Sequence, residues 1–126
     1  MGRLLDSALI DAEHRAFRYN VLEFLVHGLR YAFPLRPAGM MSKGLPTAYA
    51  APVAKGQFSA TGVCPVWTWD GGETYGQSVE PLYKTAPEAA ANDKGLYDRL
   101  ALIDMLRGGR LRERQFAQRK LEEMMP

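Results

Sequence analysis

A chain of 126 residues, 47% hydrophobic and 24% charged, is long enough to bury one modest core and too apolar to be disordered throughout. Its net charge of +2 selects no class of partner, and its single cysteine, Cys64, excludes an intrachain disulfide and fits a reducing compartment. The apolar run from Val21 to Val26 is broken by Glu23 and stops at His27, and Asp6 stands where a leader peptide would be apolar, so no membrane span is expected and cytoplasm is the default.

The pattern predicts one mainly helical α+β domain over 1–126 in three parts. In the first, Leu4, Leu5, Ala8 and Leu9 form a short stripe, followed by a turn at Asp11–Arg15. Phe17, Val21, Phe24, Leu25, Gly28, Leu29 and Ala32 then recur at helical spacing, with Leu22 and Val26 widening the face. This predicts a long core helix over 16–33, ended by Pro34 because the residue before a proline resists the helical region.

Residues 34–84 hold six of the eight prolines and seven of the twelve glycines, which excludes a helix there. Val63–Trp69 is β-prone, Asp70–Glu73 has turn chemistry, and Tyr75–Leu82 is expected to return as the second strand of a β-hairpin. Pro65 and Pro81 would confine those strands to an edge.

In the third part, 85–126, Thr85-Ala86-Pro87-Glu88 reads as a capping box before a short alanine-rich helix. Asn92 or Asp93 caps a second helix, in which Leu96, Leu100, Ile103 and Leu106 share a face and which Gly108-Gly109 ends. A last helix starts near Arg110, with Ala117, Leu121, Met124 and Met125 on one side. The short link predicts that these two helices form a hairpin.

Few residues carry chemistry. His14, His27 and Cys64 are the only imidazole and thiol groups and lack zinc-ligand spacing, so neither metal nor cofactor is expected. A cysteine without a placed base reads as a small buried hydrophobe, and Gly71-Gly72-Glu73-Thr74-Tyr75-Gly76 matches no phosphate-loop pattern. Glu23, Glu80 and Asp104 lie in or beside apolar runs as candidate buried carboxylates, Glu80 first among them. His27, Tyr31, Thr47, Tyr49, Trp67, Glu80 and Tyr83 are the candidate lining of a small-molecule pocket. The preferred reading of those aromatics is as anchors that hold the irregular segment to the helices. From Arg107 to Glu123 there are six basic and three acidic residues, a net +3. Arg107, Arg110, Arg112 and Arg114 are the candidate nucleic-acid contacts, weighed against a solvated, charge-laced helix, which is preferred.

Asn20–Pro34 resembles a stretch of uncharacterised bacterial winged-helix, MarR-like transcriptional regulators, in which it follows the DNA-binding domain. Lys43–Pro52, Val66-Trp67, Ser78–Lys84, Leu100–Asp104 and Gly109–Arg114 resemble later pieces of the same family, in the same order. The resemblance implies that Arg3–Ile10 is the remnant of a recognition helix whose bracing helices are missing, so that this chain alone makes only weak, non-specific DNA contact. It also implies an accessory domain for dimerisation or effector sensing, not itself catalytic, with a homodimer expected because helix-turn-helix proteins act as twofold dimers. The alternative is a protein-binding antitoxin-like or adaptor domain; a small hydrolase using Cys64 or Glu80 ranks third.

Overall fold

The computed structural model describes residues 15–58 and 64–124. The apolar stripe and recognition-helix remnant within 3–10, most of the 11–15 turn, Val63 and Met125 lie outside those residues. The fold is α+β and mainly α, as the sequence pattern predicts.

Helix α1 covers 15–32. Its Phe24–Gly28 stretch is a π-turn, closed by the Leu29 N–H donating to the Phe24 carbonyl, before an ordinary turn at Leu29–Ala32. It ends at Ala32, two residues before Pro34. Its role differs from the core helix that its periodicity predicts. Leu29 is the only buried residue between 15 and 33, while Leu22 and Leu25 reach the core in part.

Strand β1 (Pro37–Pro46) begins and ends at a proline, where a missing N–H does least harm to the ladder. Gly39 takes φ +77° beside a register shift between Pro37 and Met41, which bends the strand. Strands β2 (Pro65–Thr68) and β3 (Thr74–Val79) each pair antiparallel with β1. They also pair parallel to each other through Pro65–Gln77 and Val66–Ser78, closing a small three-stranded barrel.

The predicted two-strand hairpin is therefore corrected. Both strands and the turn between them exist, but β1 takes the antiparallel pairing that a hairpin would use. The closure depends on glycines at close backbone approaches, and at the β2–β3 seam a Cβ on Gly76 would lie 2.1 Å from the Cys64 carbonyl oxygen. A Cβ on Gly44 would lie 1.8 Å from the Trp67 carbonyl oxygen, and one on Gly72 would lie 2.3 Å from the Gly44 carbonyl carbon. Only glycine allows backbones that close.

Two 3₁₀ turns, Ala48–Ala50 and Pro52–Ala54, carry the chain from β1. Their inward positions Ala48, Ala51 and Ala54 are small and buried, which lets the turns lie close to the helices. Helix α2 (Ala86–Asn92) follows β3. Thr85 precedes it but makes no side-chain cap bond: with φ −94° and ψ 9° it lacks the extended backbone that aims a capping hydroxyl, so the predicted capping box does not form. Asp93, extended at φ −145° and ψ 104°, does cap helix α3 (Lys94–Gly108), accepting from Leu96 N at 3.2 Å. Gly109 ends α3, and helix α4 (Leu111–Met124) packs back on it through Phe116, Ala117 and Leu121.

Helix α3 is the central element. Leu100, Ala101, Leu102, Asp104, Met105, Leu106 and Arg107 are all buried, so it is covered all round. Leu102, Met105 and Leu106 join Ala48, Ala54 and the α4 residues in one apolar cluster, where Phe58 meets Phe116 edge-on at 5.6 Å. Leu100 joins Trp67, Val79, Ala86 and Ala90 in a second.

Candidate functional site

Asp104 lies on the helix that serves both clusters, and its carboxylate accepts three side-chain hydrogen bonds in the interior. Its Oδ2 accepts from Thr47 Oγ1 at 2.6 Å and from Trp67 Nε1 at 2.8 Å. Its Oδ1 accepts from Arg107 Nη1 at 2.7 Å. One helical turn separates Asp104 from Arg107, so α3 supplies both halves of the ion pair. Arg107 also donates through Nε to the Phe33 carbonyl at 2.8 Å and, at longer range, to the Pro34 and Glu80 carbonyls. Side chains and carbonyls from the end of α1, β2, the end of β3 and α3 thus converge on one charge pair.

Burial pushes the Asp104 carboxyl above its ordinary value, and the Thr47 hydroxyl, the Arg107 guanidinium and the Trp67 indole pull it back. Every group bonded to it is a donor, which suits a carboxylate. Both oxygens are occupied and the residue is 1% exposed, leaving no room for a substrate. The arrangement can hold elements together; it offers no free acid or base. Beside it, Tyr97 donates its phenol to the Pro46 carbonyl and tilts against Trp67 with ring centroids 6.0 Å apart.

The candidate pocket residues are not brought together. Thr47 and Trp67 belong to the Asp104 node, because a hydroxyl and an indole N–H in a core need a partner. Glu80 is exposed, with its carbonyl rather than its carboxylate facing Arg107. Tyr83 is exposed on the segment before α2. His27 and Tyr31 line a cleft of about 330 Å³ between α1 and α4, with Val26, Arg30, Arg114 and Gln115. Tyr49 lines a different cleft of about 490 Å³, with Gln57, Phe58, Arg110, Arg112 and Glu113.

The candidate nucleic-acid arginines also divide. Arg107 is buried and engaged by Asp104, so it is not available to a phosphate backbone; its place at i+3 from a buried acid accounts for this. Arg110 and Arg112 face the Tyr49 cleft, and Arg114 faces the α1–α4 cleft. On α4 itself, Lys120 and Glu123 form an exposed pair at 3.6 Å, which fits the charge-laced helix reading.

Cys64 lies at the start of β2, its Sγ 3.7 Å from the Pro65 carbonyl. Burial pushes its thiol up, which lowers the thiolate fraction at neutral pH. His27 faces Glu23 at 3.9 Å on its own helix. Among the described residues no group of three or more His, Cys, Asp or Glu side chains could hold a metal ion. Among them also, no helix is long and apolar enough to cross a membrane.

Sequence reasoning named Asp104 as one of three possible buried carboxylates but ranked Glu80 first, and it missed Tyr97 and Arg30. The signal for Asp104 was present: an acid and an arginine three residues apart inside the most apolar stretch of α3. No protein-family model, curated protein or solved structure matches this chain.

Proposed function

We propose that this chain is a non-catalytic accessory domain of a bacterial DNA-binding transcriptional regulator, and that it holds two copies together through α1. The observation that carries this reading is the outward face of α1. Phe17 is 69% exposed and Phe24 48% on one side of the helix, Tyr19 and Tyr31 are exposed elsewhere along it, and Phe33 is exposed at its end. Aromatic side chains left in water along one helix mark an interaction surface. Phe17 and Phe24 stand seven residues apart, two turns of helix on one side. Two antiparallel copies of such a helix place Phe17 of one beside Phe24 of the other, a contact that a twofold axis repeats. The regulator context rests on the family resemblance. The saturated Asp104 node and the Cys64 thiol, which burial pushes up, support a non-catalytic role.

Any DNA contact by this chain alone runs through Arg110, Arg112 and Arg114, is driven by phosphates and weakens steeply with salt. Light scattering across a range of concentrations tests the dimer. The expected result is a dimer for the native chain and a monomer for the Phe17→Ser/Phe24→Ser double variant. A native monomer at every concentration overturns it and favours the adaptor reading, with the same helix face awaiting a different protein.

A further inference from the structure

The cleft between α1 and α4 has a chemistry that the Asp104 node does not use, and it shares only Tyr31 with the exposed aromatics of α1. Its walls carry two guanidiniums, Arg30 from α1 and Arg114 from α4, together with His27, Tyr31 and Gln115. No carboxylate is among its lining residues. Glu23, 3.9 Å from His27 Nε2, is not among the residues that line the cleft. Arg30 stacks over the Tyr31 ring at 4.8 Å and donates to its hydroxyl at 2.8 Å, which holds that guanidinium at the cleft. Arg114 Nε is buried with no hydrogen-bond partner. Among the described residues neither guanidinium is paired with a carboxylate. The π-turn of α1 supplies Val26 and His27 to this wall, and such turns are frequent where a helix has been adapted to a site.

Two arginine forks without a carboxylate partner on one concavity, with an amide and an imidazole in the same lining, match the oxygens of a phosphate group better than those of any neutral ligand. The volume of about 330 Å³ suits a small molecule and is too small for a duplex. Val26 and Leu111 add apolar surface beside the charged groups, which leaves room for an uncharged part of the ligand next to its anionic group. We propose that this α1–α4 cleft binds a small phosphate-bearing anion, held between Arg30 and Arg114.

Isothermal titration of the full chain with inorganic pyrophosphate, at constant ionic strength, tests this. The expected result is saturable one-to-one binding that Arg30→Gln and Arg114→Gln each weaken by about tenfold or more. Arg112→Gln removes the same charge from the neighbouring cleft and is expected to change affinity by less than about twofold. Arg30→Lys keeps the charge but loses the fork; it is expected to fall between native and Arg30→Gln, and its circular dichroism should match that of the native chain. No saturable binding overturns the proposal. So does an Arg112→Gln loss equal to that of Arg114→Gln, which would mean diffuse charge rather than a site. A short DNA duplex that displaces pyrophosphate with the same dependence on Arg30 and Arg114 would overturn the small-molecule source and assign the phosphates to nucleic acid.

Discussion

Helices α1 and α3 invert what their sequences advertise. α1 has the longer apolar stripe, yet it lies on the outside and exposes Phe17, Phe24 and Tyr31. α3 carries an aspartate and an arginine in its most apolar stretch, yet it is the helix the fold closes around. The difference teaches that apolar content measures how much surface an element must cover, not what covers it. α3 is covered by its own chain on every side, because α2, α4, the 3₁₀ turns and the barrel all reach it. α1 meets its own chain on one side only, through Leu22, Leu25 and Leu29, and the rest of its apolar surface faces water.

The comparison breaks most severely at Arg107. Replacing it with methionine leaves the Asp104 carboxylate buried without its cation and frees the carbonyls of Phe33 and Pro34. Breaking one side of a buried ion pair costs about 3–5 kcal/mol, so Arg107→Met is expected to lower unfolding stability by that much in urea titrations. Adding Asp104→Asn should recover part of the loss, since the amide oxygen still accepts from Trp67 Nε1 and no net charge stays buried. A single variant within about 1 kcal/mol of the native chain would show that the node does not hold α3 in place.

Tyr97 gives a smaller effect with a pH signature. Tyr97→Phe loses one phenol–carbonyl bond and is expected to cost about 1 kcal/mol at neutral pH. Burial, reinforced by the nearby Cys64 and Asp98, pushes the phenol well above its ordinary value. The folded state therefore favours the protonated phenol more than the unfolded state does. Its contribution is complete below the unfolded value of about 10 and is lost as pH rises from there towards the folded value. Thermal melts of the native chain should decline through that alkaline range, and those of Tyr97→Phe should decline less. Identical alkaline slopes would mean that the phenol stays ionisable in the fold.

Much of the helical outline was legible because its signals are local. Asp93 caps α3, Gly108-Gly109 ends it, and Pro34 stops α1, each set by a residue acting on its own few neighbours. The β-prone run at Val66-Trp67 and the turn at Gly71-Gly72 were legible for the same reason. Strand β1 was not, because its prolines and Gly39 and Gly44 read as loop until two other strands pair with it. The closure of the barrel depends on Gly44, Gly72 and Gly76 each meeting backbone from a distant part of the chain, which no window of sequence displays. The candidate pocket failed for a related reason. Thr47, Trp67 and Asp104 are 57 residues apart at the extremes, and their hydrogen bonds remove the first two from any ligand. The choice of Asp104 over Glu80 follows from which carboxylate has donors waiting, a property of the assembled core.

The smallest expected effect sharpens the comparison from the α1 side. Phe17 is mostly in water in the single chain, so Phe17→Ser removes little that the fold itself buries. At concentrations where the chain is a monomer, its unfolding stability is expected to stay within about 0.5 kcal/mol of native, well below the Arg107 effect. Phe24→Ser should cost slightly more, because the Phe24 ring lies against Gly28, 3.0 Å from where a Cβ would stand. The same two substitutions should nevertheless reduce self-association. That pairing of outcomes separates a surface kept for a partner from one that packs on its own chain. If Phe17→Ser instead destabilised the monomer by more than about 1 kcal/mol, α1 would be bound to its own fold through its aromatic face. The exposed aromatics would then no longer argue for a second copy.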